Sequence, residues 1–297
     1  MEKIENCFVC GSIQHSKILE CIDDTVSKEK FTIVKCGKCG FNFTNPRPIE
    51  NELYKYYESN DYVSHSDTNK GLINSLYHTV RKYTLKRKVK LINTLSKKGS
   101  ILDIGSGTGH FLKACNENGW RTTGIEPSES TRKTAIKNLN LDIREENQIE
   151  LLEHKTFDVI TMWHVLEHVP KLNERIEEIN NLLKEEGTLI IAVPNRMSYD
   201  ARIYKENWAG YDVPRHLYHF SPEDIKNLFE KHGFEVVKIK PMIFDAFYVS
   251  MLSEKIKTGR PNFLKGVING LISNMLSINK ANTSSSQIYI LKRNKAK

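Results

Sequence analysis

The sequence predicts an α/β fold: a doubly wound, mostly parallel seven-stranded sheet with a small ribbon in front of it. Three observations carry this prediction. From about residue 98 onward, short apolar runs alternate with amphipathic stretches, which implies a parallel sheet with helices on both faces. One such run, Ile101-Leu102-Asp103-Ile104, leads directly into Gly105-Ser106-Gly107-Thr108-Gly109 and then into an amphipathic stretch starting near His110. Ahead of all this, four cysteines form two Cys-x2-Cys pairs separated by 25 residues.

Residues 1–45 read as the ribbon. Cys7, Cys10, Cys36 and Cys39 have the spacing of a closed tetrahedral zinc site, and each pair is followed by a glycine, Gly11 or Gly40, suited to the tight turn that aims backbone N–H groups at thiolates. A segment this short has no core of its own, so the expected role of the metal is structural. Short strands are expected around Ile18–Ile22 and Phe31–Val34. Cys21 and Cys115 are left over and read as thiols without a role.

Residues 46–97 read as linker and helix. Asn45-Pro46-Arg47-Pro48 breaks the chain, and Tyr54, Tyr56, Tyr57 and Tyr62 fall in a short helical and loop connection. The spacing predicts a long helix over 70–97, with Ile73, Leu76, Tyr77, Val80, Leu85, Val89 and Ile92 on its apolar face and Arg81, Lys82, Lys86, Arg87 and Lys90 opposite. Between Lys70 and Lys98 there are nine Lys or Arg and no Asp or Glu. A solvated basic face explains most of these charges; the missing acids leave an anionic partner open.

Residues 98–297 read as the main domain. Strands are expected near 100–104, 121–126, 140–144, 157–162, 187–193, 234–239 and 287–292. A polar insert, 195–220, interrupts the alternation. Ser221-Pro222-Glu223-Asp224 then opens a helix, with serine at the N-cap, proline at the first position and acids in the first turn. Residues 242–278 are helical and rich in Phe, Met, Leu and Ile; completing the core is the plainest role for them, covering a site or holding an apolar substrate the alternatives.

The chemistry centres on the glycine loop. A dinucleotide fingerprint needs a third glycine where this chain has His110, which argues against a nicotinamide cofactor. Asp103 before Gly105-x-Gly107-x-Gly109 resembles motif I of the class I S-adenosylmethionine (SAM) methyltransferases. The resemblance continues through FDVITMWHVLEHVP, LLKEEGTLIIAVPN and HGFEVV, covering about residues 98–240. It implies a sheet closed by an antiparallel hairpin of its last two strands. It also implies loop N–H groups facing the methionine carboxylate, Asp103 toward the ammonium, Glu126 on the ribose hydroxyls, and an adenine contact around Glu146–Gln148. A carboxylate offers the two acceptor oxygens that a ribose diol needs.

Ligands of such sheets lie at the carboxyl ends of the strands, which places Trp163 and His164 near the sulfonium. His164, Glu167 and His168 are spaced to share one helix face. HVLEH matches an inverted zinc-protease signature, but the surrounding chain fits a methyltransferase throughout. Asp212, Arg215, His216, Tyr218 and His219 crowd the insert. His216 is the preferred proton acceptor, with His164 as the alternative, because an imidazole titrates near neutrality. Pairing of Asp212 with Arg215 to stiffen the loop is an equal alternative for those two, and Trp208 and Tyr211 are candidate pocket walls.

The whole therefore reads as a SAM-dependent methyltransferase acting on a small-molecule, sugar or lipid-linked acceptor. The ribbon and tyrosine-rich linker resemble the start of bacterial sugar C-methyltransferases, whose further C-terminal domain 297 residues do not accommodate. An RNA methyltransferase using ribbon and basic helix is the alternative, supported by the net charge of +8. Against it, MWHV replaces the N/D-P-P-Y/F of base amino-methyltransferases, and no cysteine follows the fourth or fifth strand. A non-catalytic SAM-binding scaffold is a third reading, which leaves the intact loop and polar insert without purpose. No apolar run spans a bilayer and no signal peptide opens the chain, so a cytoplasmic protein is expected, with peripheral membrane contact open. The acceptor, the methylated atom and the oligomeric state are not written in the sequence.

Overall fold

The computed structural model describes residues 1–58, 72–260, 262–279 and 281–294. Its centre is a seven-stranded sheet. Strands β4 (Ser100–Ile104), β5 (Arg121–Ile125) and β6 (Ile143–Arg144) run parallel to one side of the centre. Strands β7 (Phe157–Trp163) and β8 (Leu183–Pro194) run parallel to the other. The final pair, β10 (Phe234–Pro241) and β11 (Ser286–Arg293), is the expected antiparallel hairpin, with β11 laid against β8. The order across the sheet is β10-β11-β8-β7-β4-β5-β6. The chain reverses direction of winding between β4 and β7, and that switch point is where such sheets bind ligands.

Helices α1 (Leu72–Leu95), α2 (His110–Glu117), α3 (Glu129–Leu139), α4 (Leu172–Leu182) and α6 (Pro222–Lys231) cover the faces; the insert adds a short α5 (Tyr199–Tyr204). The start of α6 is as the sequence predicts: Ser221 Oγ accepts from Asp224 N, and Asp224 Oδ2 accepts from Ser221 N at 2.8 Å, a reciprocal cap worth about 1 kcal/mol. The apolar run after β10 folds as two helices, α7 (Ile243–Thr258) and α8 (Phe263–Asn279). The side chains of Ile73, Leu76 and Tyr77, and Tyr62 and Lys70 altogether, lie outside the described residues; Val89 and Ile92 are buried as expected.

The ribbon forms a second sheet, β1 (His15–Ile22), β2 (Lys30–Cys36) and β3 (Asn42–Thr44). Its fourth strand, β9 (Tyr218–His219), comes from the insert: Asn42 pairs with His219 and Phe43 with Tyr218. Phe41, Phe43, Tyr218 and Phe220 stack in one aromatic group within the core that also holds Leu102, Met162 and Leu189. Trp208 and Tyr211, read as pocket walls, instead pack inward with Cys21, Phe31 and Ile33 in a satellite cluster between ribbon and insert. Their apolar faces reach a core before they reach any cleft.

Ribbon, linker and insert meet at Arg215, whose side chain is 1% exposed. It donates to Asp212 Oδ2 and Oδ1 (3.0 and 2.6 Å), to Asp23 Oδ1 (3.0 Å) and to Tyr56 O (2.8 Å). The expected Asp212–Arg215 pair is thus present, with a second carboxylate from the ribbon. A few residues on, His219 Nε2 donates to Thr44 Oγ1, which spends its own proton on His216 O. Burial alone would raise both carboxyls. The Ser27 amide and Arg215 hold Asp23 below its ordinary value, and Arg215 does the same for Asp212. Lowered folded values mean that this stabilisation is complete above the ordinary carboxyl range and is lost as pH falls through it.

Replacing Asp23 by Asn leaves the guanidinium buried beside one carboxylate. Urea unfolding is expected to show a loss of about 3 kcal/mol near neutral pH, shrinking as the pH is lowered toward 3. A loss below about 1 kcal/mol would show that Arg215 is stabilised by Asp212 and the backbone alone.

Candidate active site

The glycine loop leaves β4 with Gly105, Gly107 and Gly109 all at positive φ (72°, 54° and 76°). A Cβ on Gly105 would stand 2.4 Å from Val165, and one on Gly109 2.9 Å from Leu141, so both glycines are demanded by the fold. A Cβ on Gly107 would meet nothing within 4 Å: the loop is open there, on the side where a ligand would lie. The loop's own amides are largely committed. Gly105 N and Ser106 N donate to Ile125 O, Gly109 N to Ser106 O, and Gly107 N to Glu126 Oε2 at 2.8 Å.

Glu126 is buried at the end of β5, its other oxygen accepting from Ser128 N. Asp103 is buried beneath the loop and accepts from Thr161 Oγ1 at 2.6 Å. Burial pushes its carboxyl up to about 7 against the opposing pull of Thr161 and Lys88. Glu126 is likewise raised, first by burial. Glu146, in the segment expected at the adenine, pairs with Arg175.

Lys88 was not visible as a site residue, because it lies in a run of lysines and arginines along α1. Its ammonium sits 4.0 Å above the Trp163 ring, in the field of Asp103 and Asp245, and burial lowers its pKa. Trp163 also meets Phe111 edge to face, and its Nε1 is a buried donor without a partner among the described residues. Exposed Lys82, Lys86, Arg87 and Lys90 face solvent as expected.

His164 corrects two expectations. It does not begin a helix shared with His168; its φ is +58°, and only a single turn, Leu166–His168, follows. Nor does it hold a free ring nitrogen. Nε2 lies 2.8 Å from Asp245 Oδ2 and Nδ1 3.3 Å from Glu167 Oε1, so both nitrogens donate. Burial disfavours the charge, but Asp245 and Glu167 prevail and hold the pKa up to about 10. With both nitrogens donating, the ring carries its charge between two carboxylates.

His216 and His168 form an edge-to-face pair, 4.6 Å between ring centroids. His216 Nδ1 lies 2.9 Å from Gly210 O, and a carbonyl only accepts, so Nδ1 holds a proton and Nε2 is the nitrogen left to take one. Asp212 Oδ2 is 3.9 Å from that Nε2. His168 Nδ1 donates to Arg215 O (3.1 Å), with Tyr57 Oη at 2.9 Å, leaving its Nε2 bare too; burial, with His216 beside it, pushes it down to about 4. Glu167 is fully buried, and its Oε2 has no partner among the described residues. One donor atom each from Glu167, His168 and His216 falls within 4.8 Å of the others, a set that a divalent cation could also accept.

In the ribbon, the Sγ atoms of Cys7, Cys10, Cys36 and Cys39 lie within 4.8 Å of one another, with Cys7–Cys39 and Cys10–Cys36 at 3.5 Å. A tetrahedron of 2.3 Å zinc–sulfur bonds has edges of about 3.8 Å, so the four sulfurs are set for such an ion. Gly11 N and Gly40 N close the two turns onto Cys7 O and Cys36 O. Cys21 and Cys115 are buried apart from this group; burial pushes Cys21 up to about 12.

A family model described as a methyltransferase domain matches residues 77–239, more than half of the chain. The ubiquinone biosynthesis O-methyltransferase of Rickettsia canadensis (strain McKiel) is 25% identical over 206 residues, 64% of this chain and 87% of that protein. The mitochondrial ubiquinone biosynthesis O-methyltransferase of Bos taurus is 30% identical over 164 residues, 50% of this chain and 44% of that protein. Two solved structures share the fold. Magnesium protoporphyrin IX methyltransferase of Synechocystis PCC 6803, with bound S-adenosylhomocysteine, has a TM-score of 0.55 at 14% identity, over 82% of this chain and 100% of that one. A SAM-dependent methyltransferase from Archaeoglobus fulgidus has a TM-score of 0.50 at 22% identity, over 72% and 94%. The family match, the strand order, the open glycine loop and the buried Glu126 agree: the chain belongs to the SAM-dependent methyltransferases of the class I fold.

Proposed function

We propose that this enzyme transfers the methyl group of SAM to a hydroxyl of a small apolar or lipid-linked acceptor, with His216 taking the hydroxyl proton. The observation that carries this reading is the bare Nε2 of His216, held by Gly210 O and faced by a carboxylate that would stabilise the imidazolium formed. Relatives named as ubiquinone biosynthesis O-methyltransferases support an oxygen nucleophile. His164, fixed as a cation, serves to hold Glu167 and Asp245 in place. Label entering RNA in preference to small molecules would instead favour the nucleic-acid reading of the basic helix.

The residues present suit SAM. Glu126 can exchange its bond to Gly107 N for ribose hydroxyls, Asp103 can meet the ammonium, Lys88 is placed to pair with the carboxylate, and Trp163 Nε1 waits for an acceptor. Bound SAM supplies an electrophilic methyl carbon whose bond to sulfur breaks as the acceptor oxygen attacks in line. We assign a structural zinc to Cys7, Cys10, Cys36 and Cys39, which closes a ribbon whose last strand belongs to the acceptor-side insert.

Calorimetry is expected to show SAM binding that weakens at least about tenfold in Glu126→Ala and in Lys88→Met. Unchanged affinity in Glu126→Ala would remove the assigned ribose contact. Because Asp103 titrates at about 7 in the free protein and must ionise to meet an ammonium, binding should release protons and tighten as pH rises from about 6 to about 7.5. The same heat of binding in buffers of different ionisation enthalpy would show that Asp103 keeps its protonation state.

With a phenolic acceptor, His216→Asn should lower turnover by about a hundredfold while leaving SAM affinity unchanged. A near wild-type rate would leave alignment as the source of catalysis. Metal analysis should return one zinc per chain, lost in Cys36→Ser; a stoichiometric metal in that variant would place the ion elsewhere.

A further inference from the structure

Helix α8 is built inside out. Gly266, Asn269, Gly270, Ser273 and Ser277 are its buried face. Leu264, Val267, Ile268, Leu271, Met275 and Ile278, spaced i, i+3, i+4, i+7, i+11 and i+14, form one continuous apolar stripe on the exposed side. Leu264 is 74% exposed, Met275 67% and Ile278 79%. The orientation is fixed by specific contacts. Asn269 Nδ2 donates to Tyr204 Oη at 2.7 Å, and Ser273 Oγ to Asp200 Oδ1 at 3.1 Å. Built on the backbone, a Cβ at Gly266 would lie 2.7 Å from Met251 and one at Gly270 2.8 Å from Phe247, so only glycine lets α7 and α8 approach this closely. Rotating the stripe inward would bury nothing these partners could match.

A stripe of this size on a chain's surface marks an interaction site. The charge around it says with what. Residues 255–297 contain nine Lys or Arg and no Asp or Glu, and Lys257 and Arg260 stand exposed where α7 ends and α8 begins. Tyr83 on α1 packs edge to face on Phe244 at the start of α7, and Arg87 lies over the Tyr83 ring, so basic side chains of α1 stand at that end of α7. Two such basic faces repel, which disfavours a second copy of the chain as the cover. Residues 59–71 hold only two large apolar residues, Tyr62 and Val63, too few to cover the stripe. Among the described residues no helix is long and apolar enough to cross a membrane. Apolar side chains outward, flanked by cations and lying flat, is the pattern of a helix seated in the headgroup region of an anionic bilayer.

We propose that the outer face of α7 and α8 docks on an anionic phospholipid surface, with the apolar stripe of α8 entering the interface. Asp245 in the first turn of α7 pairs with His164, so the docking helices are tied directly to the candidate site. The docking stands whether or not the acceptor chemistry proposed above is right.

The test is co-sedimentation with vesicles of phosphatidylcholine and phosphatidylglycerol in equal parts, against vesicles of phosphatidylcholine alone. The wild-type chain should bind the anionic vesicles and bind neutral ones more weakly. The triple variant Leu264→Gln/Leu271→Gln/Met275→Gln should lose at least about tenfold in affinity, and Lys257→Glu/Arg260→Glu should weaken binding separately. SAM affinity, measured in parallel, should be the same in all three proteins, which shows that the variants fold and separates this result from the fate of the catalytic reading. Absence of vesicle binding by the wild type, or equal binding by the triple variant, overturns the proposal. So does a stable lipid-free dimer, seen by sedimentation equilibrium, that the triple variant dissolves.

Discussion

Arg215 is the interaction on which the rest of the site depends. A guanidinium with almost no exposure must have its donors met, because an unpaired buried charge costs several kcal/mol. It is met by the ribbon through Asp23, by the linker through Tyr56 O and by its own loop through Asp212. Three segments distant in sequence are thereby fixed to one planar group, and its fork geometry fixes their angles as well as their distances. The carbonyl of the same residue accepts from His168, and Asp212 stands beside His216. An electrostatic tie that is structural in origin therefore sets the tautomer of one histidine and the field on the other.

The charges in the site divide into two groups with opposite behaviour. Around His164, two carboxylates surround one imidazole, and the balance holds the imidazole's pKa up and Asp245's down. Around Asp103, burial outweighs the nearest cation, and the carboxyl titrates near neutrality. The first group is largely paired within the chain, with Glu167 Oε2 the one oxygen there that finds no partner among the described residues. The second is unfinished, since the buried Asp103, the half-buried Lys88 and the buried Trp163 Nε1 find few partners within the chain. A zwitterion carrying both an ammonium and a carboxylate is complementary to that second group, as the methionyl end of SAM is.

Much of the fold was legible because its signals are local. The glycine loop, the Ser221 cap with its Asp224 partner and each cysteine pair lie within a few residues of the features that specify them, whereas the antiparallel closing hairpin, whose strands are distant in the chain, came from the family resemblance. Three features were not legible, for three physical reasons. A two-residue strand such as Tyr218–His219 has no periodicity to read; only its partner Asn42–Thr44 defines it. His164 sits at positive φ, a conformation that breaks the helix and that spacing does not reveal, so the helical spacing of His164, Glu167 and His168 misled. Lys88 is one cation among nine in its segment, and nothing local separates the one that turns toward Trp163 from those that face water.

Helix α8 shows what periodicity leaves undetermined. A stripe at i, i+3, i+4 and i+7 establishes that a helix has two unlike faces, and for a chain in water the apolar one is taken to be inside. That assignment rests on the solvent rather than on the pattern. Here glycines and short polar side chains occupy the inner face, where Asp200 and Tyr204 supply hydrogen-bond partners that leucines could not use. Close approach of α7 and α8 through small residues is the packing rule of helices in an apolar medium, where association cannot draw on the exclusion of water. The inner face therefore carries the same information as the outer one: both are composed as if the space beyond α8 were apolar, and the chain folds its polar groups toward the protein accordingly.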